Sequence, residues 1–165
     1  MNISLIVAVD RRYGIGFNGD QLAYISGDLK HFKSITQHHT IVMGRKTSEA
    51  LPKGVLPNRR NIILTHDRTW QCEGAEIAHD VLDVLDMVKE DGEVFVIGGG
   101  VRYETFMPYA NRLYITHIDY TFSDVDTFFP VVDTEKWKEV ESKTSETFID
   151  EKTGLSYCFK EYELR

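Results

Sequence analysis

The stretch at residues 94–100 indicates the fold of this chain, and it reads Val-Phe-Val-Ile-Gly-Gly-Gly. Four consecutive apolar residues predict a buried strand, and the glycines predict a tight turn into a helix around Tyr103. The stretch 40–47, Thr-Ile-Val-Met-Gly-Arg-Lys-Thr, repeats this order of strand, glycine and short helix. Strands that alternate with helices are typical of a mostly parallel sheet.

The same alternation continues on both sides of these two stretches. Apolar patterns predict strands at 3–9, 61–65 and 113–118 and helices at 26–37, 45–51 and 81–88. The helix at 26–37 is predicted from the helical spacing of its apolar residues Leu29, Phe32 and Ile35. Ser26 and Asp80 are suitable helix N-caps, and Pro108 ends the helix around Tyr103. The last strand, at 157–164, has no helix before it, which favours an antiparallel C-terminal edge. We therefore expect one α/β domain over residues 1–165, with helices on both faces of a mostly parallel central sheet.

Composition and charge exclude several classes of protein. The 165 residues carry a net charge of −7, from 19 basic and 26 acidic residues, whereas nucleic-acid binders are usually basic. No apolar run has the roughly 20 residues that span a bilayer, so no membrane partner is expected. The two cysteines have no disulfide-framework or metal-ligand spacing, which favours a reducing cytoplasm. Between Arg45 and Arg68, six basic and two acidic residues give a local +4, either as a solvated loop or as a subsite for an anionic molecule.

Glycine motifs occur at three places. Residues 14–19 match G-x-G-x-x-G, but no helical pattern follows and His39 stands where a ribose-binding acid belongs, so we interpret them as a mobile loop. Gly98, Gly99 and Gly100 follow a strand and precede a helix, as does Gly44. Two strand-to-helix turns of this kind suit a ligand with several phosphates, such as a dinucleotide.

One acidic residue lies on an apolar helix face. Asp28 shares a face of the predicted helix with Phe32 and Ile35, because residues three and four apart are neighbours. Asp28 then either stabilises the helix dipole or is a carboxylate in an apolar pocket with a raised pKa. The histidines form no metal-ligand pair and no Ser/His/Asp arrangement is visible, so no metal site is predicted.

The motifs, in this order and spacing, resemble dihydrofolate reductases from residue 3 to residue 164. They are the strand at 3–8, Gly-Ile-Gly at 14–16, Asp-Leu-Lys-His-Phe-Lys at 28–33, Ile-Val-Met-Gly-Arg-Lys-Thr at 41–47, Leu-Pro-Asn-Arg-Arg-Asn at 56–61, Val-Ile-Gly-Gly-Gly at 96–100 with Tyr103, Leu-Tyr-Ile-Thr-His at 113–117 and Asp-Thr-Phe-Phe-Pro at 126–130. The resemblance implies an oxidoreductase that uses NADPH to reduce 7,8-dihydrofolate to tetrahydrofolate for one-carbon metabolism. Hydride would go to C6 with protonation of N5. Antifolate inhibitors are expected with it. The sequence does not reveal the oligomeric state, and a monomer is the default expectation for a single domain.

The resemblance also implies roles for individual residues. Asp28 would bind the pterin and favour protonation of N5, and Thr116 would bond to Asp28. Leu22 and Tyr24 would belong to the catalytic loop, and Arg59 would hold the α-carboxylate of the glutamate tail. The substrate-binding set is Ile6, Val7, Asp28, Phe32, Lys33, Leu51, Arg59, Ile97 and Thr116. The cofactor-binding set is Ala8, Ile15, Gly16, Gly44, Arg45, Lys46, Thr47, Leu64, Thr65, His66, Gly98, Gly99, Gly100, Val101, Arg102 and Tyr103, with Arg68 as a further candidate for the 2′-phosphate. Gly98 and Gly99 resemble the family's cis Gly-Gly link.

The loop before the predicted helix departs from the family pattern. The stretch 22–28, Leu-Ala-Tyr-Ile-Ser-Gly-Asp, lacks the usual Pro and Trp. The residue in the place of the Trp is Tyr24 by motif or Ala23 by count. We therefore expect diaminopyrimidine antifolates to inhibit this enzyme more weakly than a typical bacterial one.

Two alternative functions remain open at the level of sequence. The first is an NADPH reductase of the same fold that acts on a pyrimidine of riboflavin synthesis. The second is a non-catalytic protein that binds a pterin or a nucleotide, which the altered loop suggests. Asp28 and Arg59, in their folate-type contexts, favour the folate enzyme over the pyrimidine reductase.

Overall fold

A computed structural model describes residues 1–165 as twelve strands and four α-helices. The strands are β1 (Asn2–Val9), β2 (Gly14–Phe17), β3 (Asp20–Gln21), β4 (Thr40–Gly44), β5 (Arg60–Leu64), β6 (Ala75–Ala78), β7 (Glu93–Gly98), β8 (Arg112–Ile118), β9 (Thr127–Phe128), β10 (Trp137–Glu139), β11 (Phe148–Ile149) and β12 (Ser156–Leu164). The helices are α1 (Ser26–Thr36), α2 (Arg45–Glu49), α3 (Val81–Met87) and α4 (Gly100–Phe106), with 3₁₀ turns at Met107–Tyr109 and Glu141–Lys143.

The first of two compact units comprises Met1–Leu5 and Thr36–Ala110. Its strands are all parallel, in the order β1-β7-β4-β5-β6. The central strands are almost continuously apolar, and residues such as Val42, Ile62 and Val96 are fully buried, as expected for a parallel sheet covered on both faces. Because parallel strands end at the same edge, Gly44, Leu64 and Gly98 lie at the carboxyl edge of this sheet.

The second compact unit comprises Ile6–Ile35 and Asn111–Arg165. Its main strands are antiparallel: β12 pairs with β8, β10 and β11. A smaller sheet joins β2 to β3 and to β9. Ile25, Ile118 and Tyr157 form a buried cluster beside α1, and Ala8 and Ala23 pack against it.

The predicted fold class is confirmed, and the predicted strands and helices are present with small shifts at their ends. Asp80 caps α3 as expected, because its side chain accepts a hydrogen bond from the N–H of Asp83. The expectation of a single domain stays a prediction. No helix reaches the length and apolar character that crossing a membrane would require.

Three expectations about local structure were wrong or incomplete. Residues 14–17 form strand β2, which is hydrogen-bonded to both β3 and β9, and not the loop that was expected. Leu29 was expected on the apolar face of α1, but 46% of its surface is exposed. The sequence patterns also missed β6, β9, β10 and β11, since strands of two to four residues are too short to show a periodicity.

Candidate active site

The second unit holds a partly buried carboxylate in the first turn of α1. The Thr116 hydroxyl on β8 donates a 2.6 Å hydrogen bond to Asp28 Oδ1, and Thr116 itself is only 4% exposed. Loss of water around the carboxylate raises the pKa of Asp28, and the hydrogen bond from Thr116 partly offsets this effect. This environment matches the interpretation of Asp28 as an acid in an apolar surrounding rather than a solvated helix-dipole charge.

Aromatic side chains from β12 pack against the same part of α1. The His31 ring stacks on Phe159, with 3.7 Å between ring centroids, and Phe159 stands opposite Thr116 in the register of β12 and β8. Burial lowers the pKa of His31, which favours the neutral imidazole. The Tyr157 hydroxyl occupies the space that a Cβ would take at Gly27, so a larger residue at position 27 would displace it.

A distant carboxylate, and not the Ser26 side chain, caps α1. Asp150 is 7% exposed and accepts hydrogen bonds from the backbone N–H groups of Ser26 and Thr153. These bonds and the Thr153 hydroxyl lower the pKa of Asp150. Ser26 was predicted as the N-cap, but it is already the first helical residue. Short-range cap rules could not find Asp150, which lies far away in the sequence.

Two further carboxylates fix the segment that leads to α1. Asp10 is buried and accepts from the N–H groups of Arg12, Gly14 and Phe122, at 2.9, 2.8 and 3.1 Å. Asp126 accepts from the N–H of Asn18 at 3.0 Å. Sequence reasoning did not single out either acid. The contacts of Asp10 with Arg12 and Gly14 are local, whereas Phe122 and the Asn18–Asp126 pair are brought together only by the fold.

Ala23 and Tyr24, the two candidates for the residue in the place of the usual Trp, have different surroundings in the structure. Ala23 packs against the cluster of Ile25, Ile118 and Tyr157. Tyr24 is 56% exposed, and its hydroxyl donates to Asp20 and not to Asp28. The structure therefore does not bring Tyr24 into the hydrogen-bonded group around Asp28.

In the first unit, the glycine turn after β7 packs against α2. The Gly98–Gly99 peptide bond is cis, and Gly98 has a φ of +147°, which favours glycine. A Cβ at Gly98 would lie 3.2 Å from Thr47 Oγ1, so the turn and the Thr47 hydroxyl are in close contact. The Tyr103 hydroxyl donates to the Ile97 carbonyl at 2.7 Å, which ties α4 to the end of β7.

Arg102 provides a half-buried cation at the same sheet edge. Its side chain lies over Gly44, where a Cβ would be 3.1 Å from Nε, and Nη2 points to the Leu64 carbonyl at 3.5 Å. Burial lowers the pKa of Arg102, and its charge has no ion-pair partner among the salt bridges of the chain. A partly desolvated guanidinium in this position is suited to binding an anion.

The basic segment between residues 45 and 68 is less positive than its sequence indicates. Arg60 is bound by Glu76 at 2.6 Å and Asp91 at 2.9 Å, so it is a structural residue. Arg45 pairs with Asp67 and Glu49 and lies over the Trp70 ring. The acids at 76 and 91 lie outside the segment, so its local charge count could not include them.

Arg59 is held by neutral oxygens. Its guanidinium donates to Thr36 Oγ1 and the Pro57 carbonyl, both at 3.0 Å, and to Gln37 Oε1 at 3.5 Å. Burial lowers the pKa of Arg59. These contacts fix the orientation of the planar group without supplying a carboxylate.

The remaining candidate residues lie on several elements. In the second unit, Ile6, Val7 and Ala8 are on β1, Ile15 and Gly16 on β2, Leu22 and Tyr24 before α1, Phe32 and Lys33 on α1, and Thr116 on β8. In the first unit, Gly44 ends β4, Arg45, Lys46 and Thr47 form the start of α2, Leu51 follows α2, Leu64 ends β5 before Thr65 and His66, Ile97 and Gly98 end β7, and Gly99, Gly100, Val101, Arg102 and Tyr103 lead into α4. The structure thus places the acid and the anion-binding candidates in different units.

The fold and these two groups of residues are typical of an α/β enzyme with a carboxylate site and a site for an anionic ligand at the sheet edge. Comparison with known proteins gives a narrower result. The family model "Dihydrofolate reductase" matches residues 2–164. The chain is 40% identical over 163 residues to dihydrofolate reductase of Staphylococcus haemolyticus, covering 99% of this chain and 96% of the relative. It is also 40% identical over 161 residues to that of Bacillus subtilis (strain 168), with coverages of 98% and 94%.

A solved structure agrees with these relatives. Dihydrofolate reductase from Enterococcus faecalis, complexed with NADP(H) and RAB-propyl, superposes with a TM-score of 0.90 at 34% identity, covering 99% of this chain and 96% of that chain. The chain belongs to the dihydrofolate reductase family.

Proposed function

We propose that this chain reduces 7,8-dihydrofolate to tetrahydrofolate with NADPH. The observation that carries the proposal is the pair of Asp28 and Thr116, a desolvated carboxylate with one oriented hydroxyl donor, in a member of the dihydrofolate reductase family. A group of this kind can hydrogen-bond the N–H groups of a pterin and favour proton transfer to it.

The raised pKa of Asp28 is the basis of its proposed role. A carboxylate that binds a proton more readily than usual can favour protonation of N5. Thr116 holds Oδ1 of Asp28, which leaves Oδ2 for the pterin. Ile6, Val7, Phe32, Leu51 and Ile97 would form the apolar wall, and Lys33 would lie near the acidic tail.

Arg59 is the proposed partner of the α-carboxylate on the glutamate tail. Its contacts with Thr36, Pro57 and Gln37 hold the guanidinium plane. A planar guanidinium with a fixed orientation can bind a carboxylate through two parallel hydrogen bonds.

The first unit supplies most of the residues that are proposed for NADPH. Arg102, Lys46 and the Thr47 hydroxyl are the cationic and polar groups beside the glycine turn, and they are suited to phosphate oxygens. Arg45 is also proposed for the cofactor phosphates, and Thr65 and His66 for the adenosine 2′-phosphate. Tyr103 is proposed for the nicotinamide, as are Ala8 and Ile15, which belong to the second unit. NADPH, when bound, supplies the hydride, and the chain's own residues bind and orient the two ligands.

The test is the decay of NADPH absorbance with purified protein and dihydrofolate, in wild type and in Asp28→Asn. We expect turnover in wild type and a fall of at least about a hundredfold in the variant, the scale of lost acid–base catalysis. Asp86→Asn, an exposed acid on α3, is the matched control and should retain wild-type turnover.

Two results would contradict the proposal. Equal turnover in wild type and Asp28→Asn would show that Asp28 takes no part in the reaction. Saturable binding of NADPH without turnover would support the alternative of a non-catalytic binding protein. The other alternative is an NADPH reductase that acts on a pyrimidine of riboflavin synthesis. It is tested by measuring turnover with a substrate panel that includes this pyrimidine.

Three further expectations accompany this function. Weaker inhibition by diaminopyrimidine antifolates stays a prediction, and an inhibition constant in the range of typical bacterial enzymes would contradict it. A monomeric state is proposed and can be measured by sedimentation equilibrium. Cytoplasmic location is proposed on the two free thiols, Cys72 and Cys158, which a reducing compartment preserves.

A further inference from the structure

A cleft in the second unit carries an unusual combination of apolar walls and lysines. It has a volume of about 420 Å³. The residues that line it are Tyr24, Ser26, Leu29, Lys30, Lys33, Asp150 and Lys152. We refer to it as the lysine cleft.

The lysine cleft lies on a different face of α1 from Asp28. Ser26, Leu29, Lys30 and Lys33 follow the three- and four-residue spacing of one helix face. At 100° per residue, the centre of this face is roughly 140° around the helix axis from the face of Asp28 and Phe32. The cleft is therefore separate from the hydrogen-bonded group of Asp28 and Thr116.

The charges of the lysine cleft favour an anion. Lys30, Lys33 and Lys152 form no ion pair with any carboxylate of the chain. Asp150 is the one acid in the lining, and it accepts from Ser26 and Thr153 while Lys152 lowers its pKa further. The lining thus contains three lysines and one carboxylate that is already hydrogen-bonded, so its net charge is positive.

The walls of the lysine cleft favour an aromatic group. Tyr24 and Leu29 are 56% and 46% exposed, and both line the same cleft. The hydroxyl of Tyr24 donates to Asp20, and a tyrosine ring can stack on an aromatic ligand. Small-molecule sites commonly combine apolar walls with a few oriented charges, and the volume is near the lower end of their range.

We propose that the lysine cleft is a second ligand site, which binds a small aromatic anion such as an aryl carboxylate or aryl sulfonate. The aromatic ring lies against Tyr24 and Leu29, and the anionic group contacts Lys30 and Lys152. Because Tyr24 belongs to the loop that leads to α1, an occupant also restrains this loop. The proposal does not depend on the reductase activity.

Isothermal titration calorimetry of the whole chain with naphthalene-2-sulfonate tests the proposal. The test variant is Lys30→Gln/Lys152→Gln, and the control is Lys136→Gln/Lys138→Gln, which removes the same charge from exposed lysines near β10. Lys33 is left unchanged because it belongs to the proposed substrate residues. Wild-type thermal midpoints in both double variants show that they fold.

We expect one site per chain in wild type, binding at least tenfold weaker in Lys30→Gln/Lys152→Gln, and no change in the control. Asp28→Asn should leave the affinity unchanged, and neutral naphthalene-2-sulfonamide should bind at least tenfold more weakly than the sulfonate. Equal weakening in both double variants would show diffuse charge attraction and overturn the proposal. Loss of binding in Asp28→Asn, equal binding of the sulfonamide, or no saturable binding at millimolar probe would overturn it as well.

Discussion

Asp28 illustrates how a functional group opposes stability at the scale of one residue. Burial raises its pKa, so the folded chain binds this proton more tightly than the unfolded chain does. The carboxylate therefore adds most stability when protonated, at low pH. It destabilises the fold as pH rises through the unfolded pKa, near 3.8, towards the raised folded value. The same shift supports the proposed proton chemistry.

Asp28→Asn should therefore be more stable than wild type at pH 7.5, even though its turnover is lost. The neutral amide avoids the cost of a desolvated charge and can still accept the Thr116 hydroxyl. Urea unfolding at pH 7.5 and pH 3.5 measures the effect, and the gain should shrink at the lower pH. A variant that is less stable at pH 7.5 would show that the charge is compensated by more than Thr116.

The size of the residue at position 27 is constrained, because the Tyr157 hydroxyl lies close to Gly27. We expect Gly27→Ala to lower stability by about 1–3 kcal/mol, because the new Cβ collides with the Tyr157 hydroxyl. In a Tyr157→Phe background the same substitution should cost much less, since the colliding oxygen is gone. A double-mutant cycle of urea midpoints measures this coupling, and additive effects would contradict it.

Elements meet at the carboxyl edge of the parallel strands, where α4 places Arg102 over the ends of β4 and β5. We expect Arg102→Gln to raise KM for NADPH about tenfold or more, with KM for dihydrofolate unchanged, because an anion there loses a charge-assisted contact. Arg11→Gln, an exposed arginine, is the control. If the KM for NADH rises by the same factor, Arg102 contacts the diphosphate. If only the KM for NADPH rises, Arg102 contacts the 2′-phosphate. An unchanged KM for NADPH would remove Arg102 from the site.

The strand pair β8–β12 contains a half-buried histidine that couples stability to pH. His117 Nε2 is 2.9 Å from the Tyr162 hydroxyl. Burial and the nearby Lys160 lower the pKa of His117 to about 4, although Glu139 acts in the opposite direction. The folded chain thus resists protonation of this ring, whereas an unfolded chain takes up the proton near pH 6.5. This contribution to stability is complete above pH 6.5 and is lost as pH falls towards 4.

His117→Gln should accordingly lose less stability than wild type between pH 7 and pH 4.5. An amide can keep a hydrogen bond to Tyr162 without titrating. Thermal midpoints at the two pH values, with the exposed His38→Gln as control, measure the difference. The same pH-dependent loss in wild type and His117→Gln would assign the acid sensitivity to other groups.

At the scale of the whole molecule, β1 runs through both compact units: residues 2–5 belong to the first unit and residues 6–9 to the second. Unfolding of either unit would release part of this strand. We therefore expect the whole chain to unfold in one cooperative transition, as the prediction of a single domain requires.

The two tryptophans allow a direct test, because Trp70 lies in the first unit and Trp137 in the second. Trp137→Phe leaves a fluorescence probe in the first unit, and Trp70→Phe leaves one in the second. Coincident unfolding curves from both variants, each also followed by circular dichroism, would support one domain. Fluorescence midpoints that differ from the circular dichroism midpoint of the same variant would show that the units unfold separately.

The sequence by itself determined the parallel strands, the helices and the family. Runs such as 41–43 and 94–96 are apolar enough to require burial on both faces, and the glycine turns, Asp28 and Arg59 occur in a recognisable order. These properties are local, since a strand's apolar character and a turn's glycines depend on neighbours along the chain. Short strands such as β6 were not predicted from the sequence, because they have too few residues to show a periodic pattern.

Only the tertiary structure decided which distant groups meet. It paired Asp28 with Thr116, capped α1 with Asp150, bound the glycine segment through Asp126, and neutralised Arg60 with Glu76 and Asp91. It also separated Tyr24 from Asp28 and placed it in the lysine cleft. The physical reason is that hydrogen bonds, ion pairs and desolvation depend on distance in space, which the order of residues along the chain does not contain.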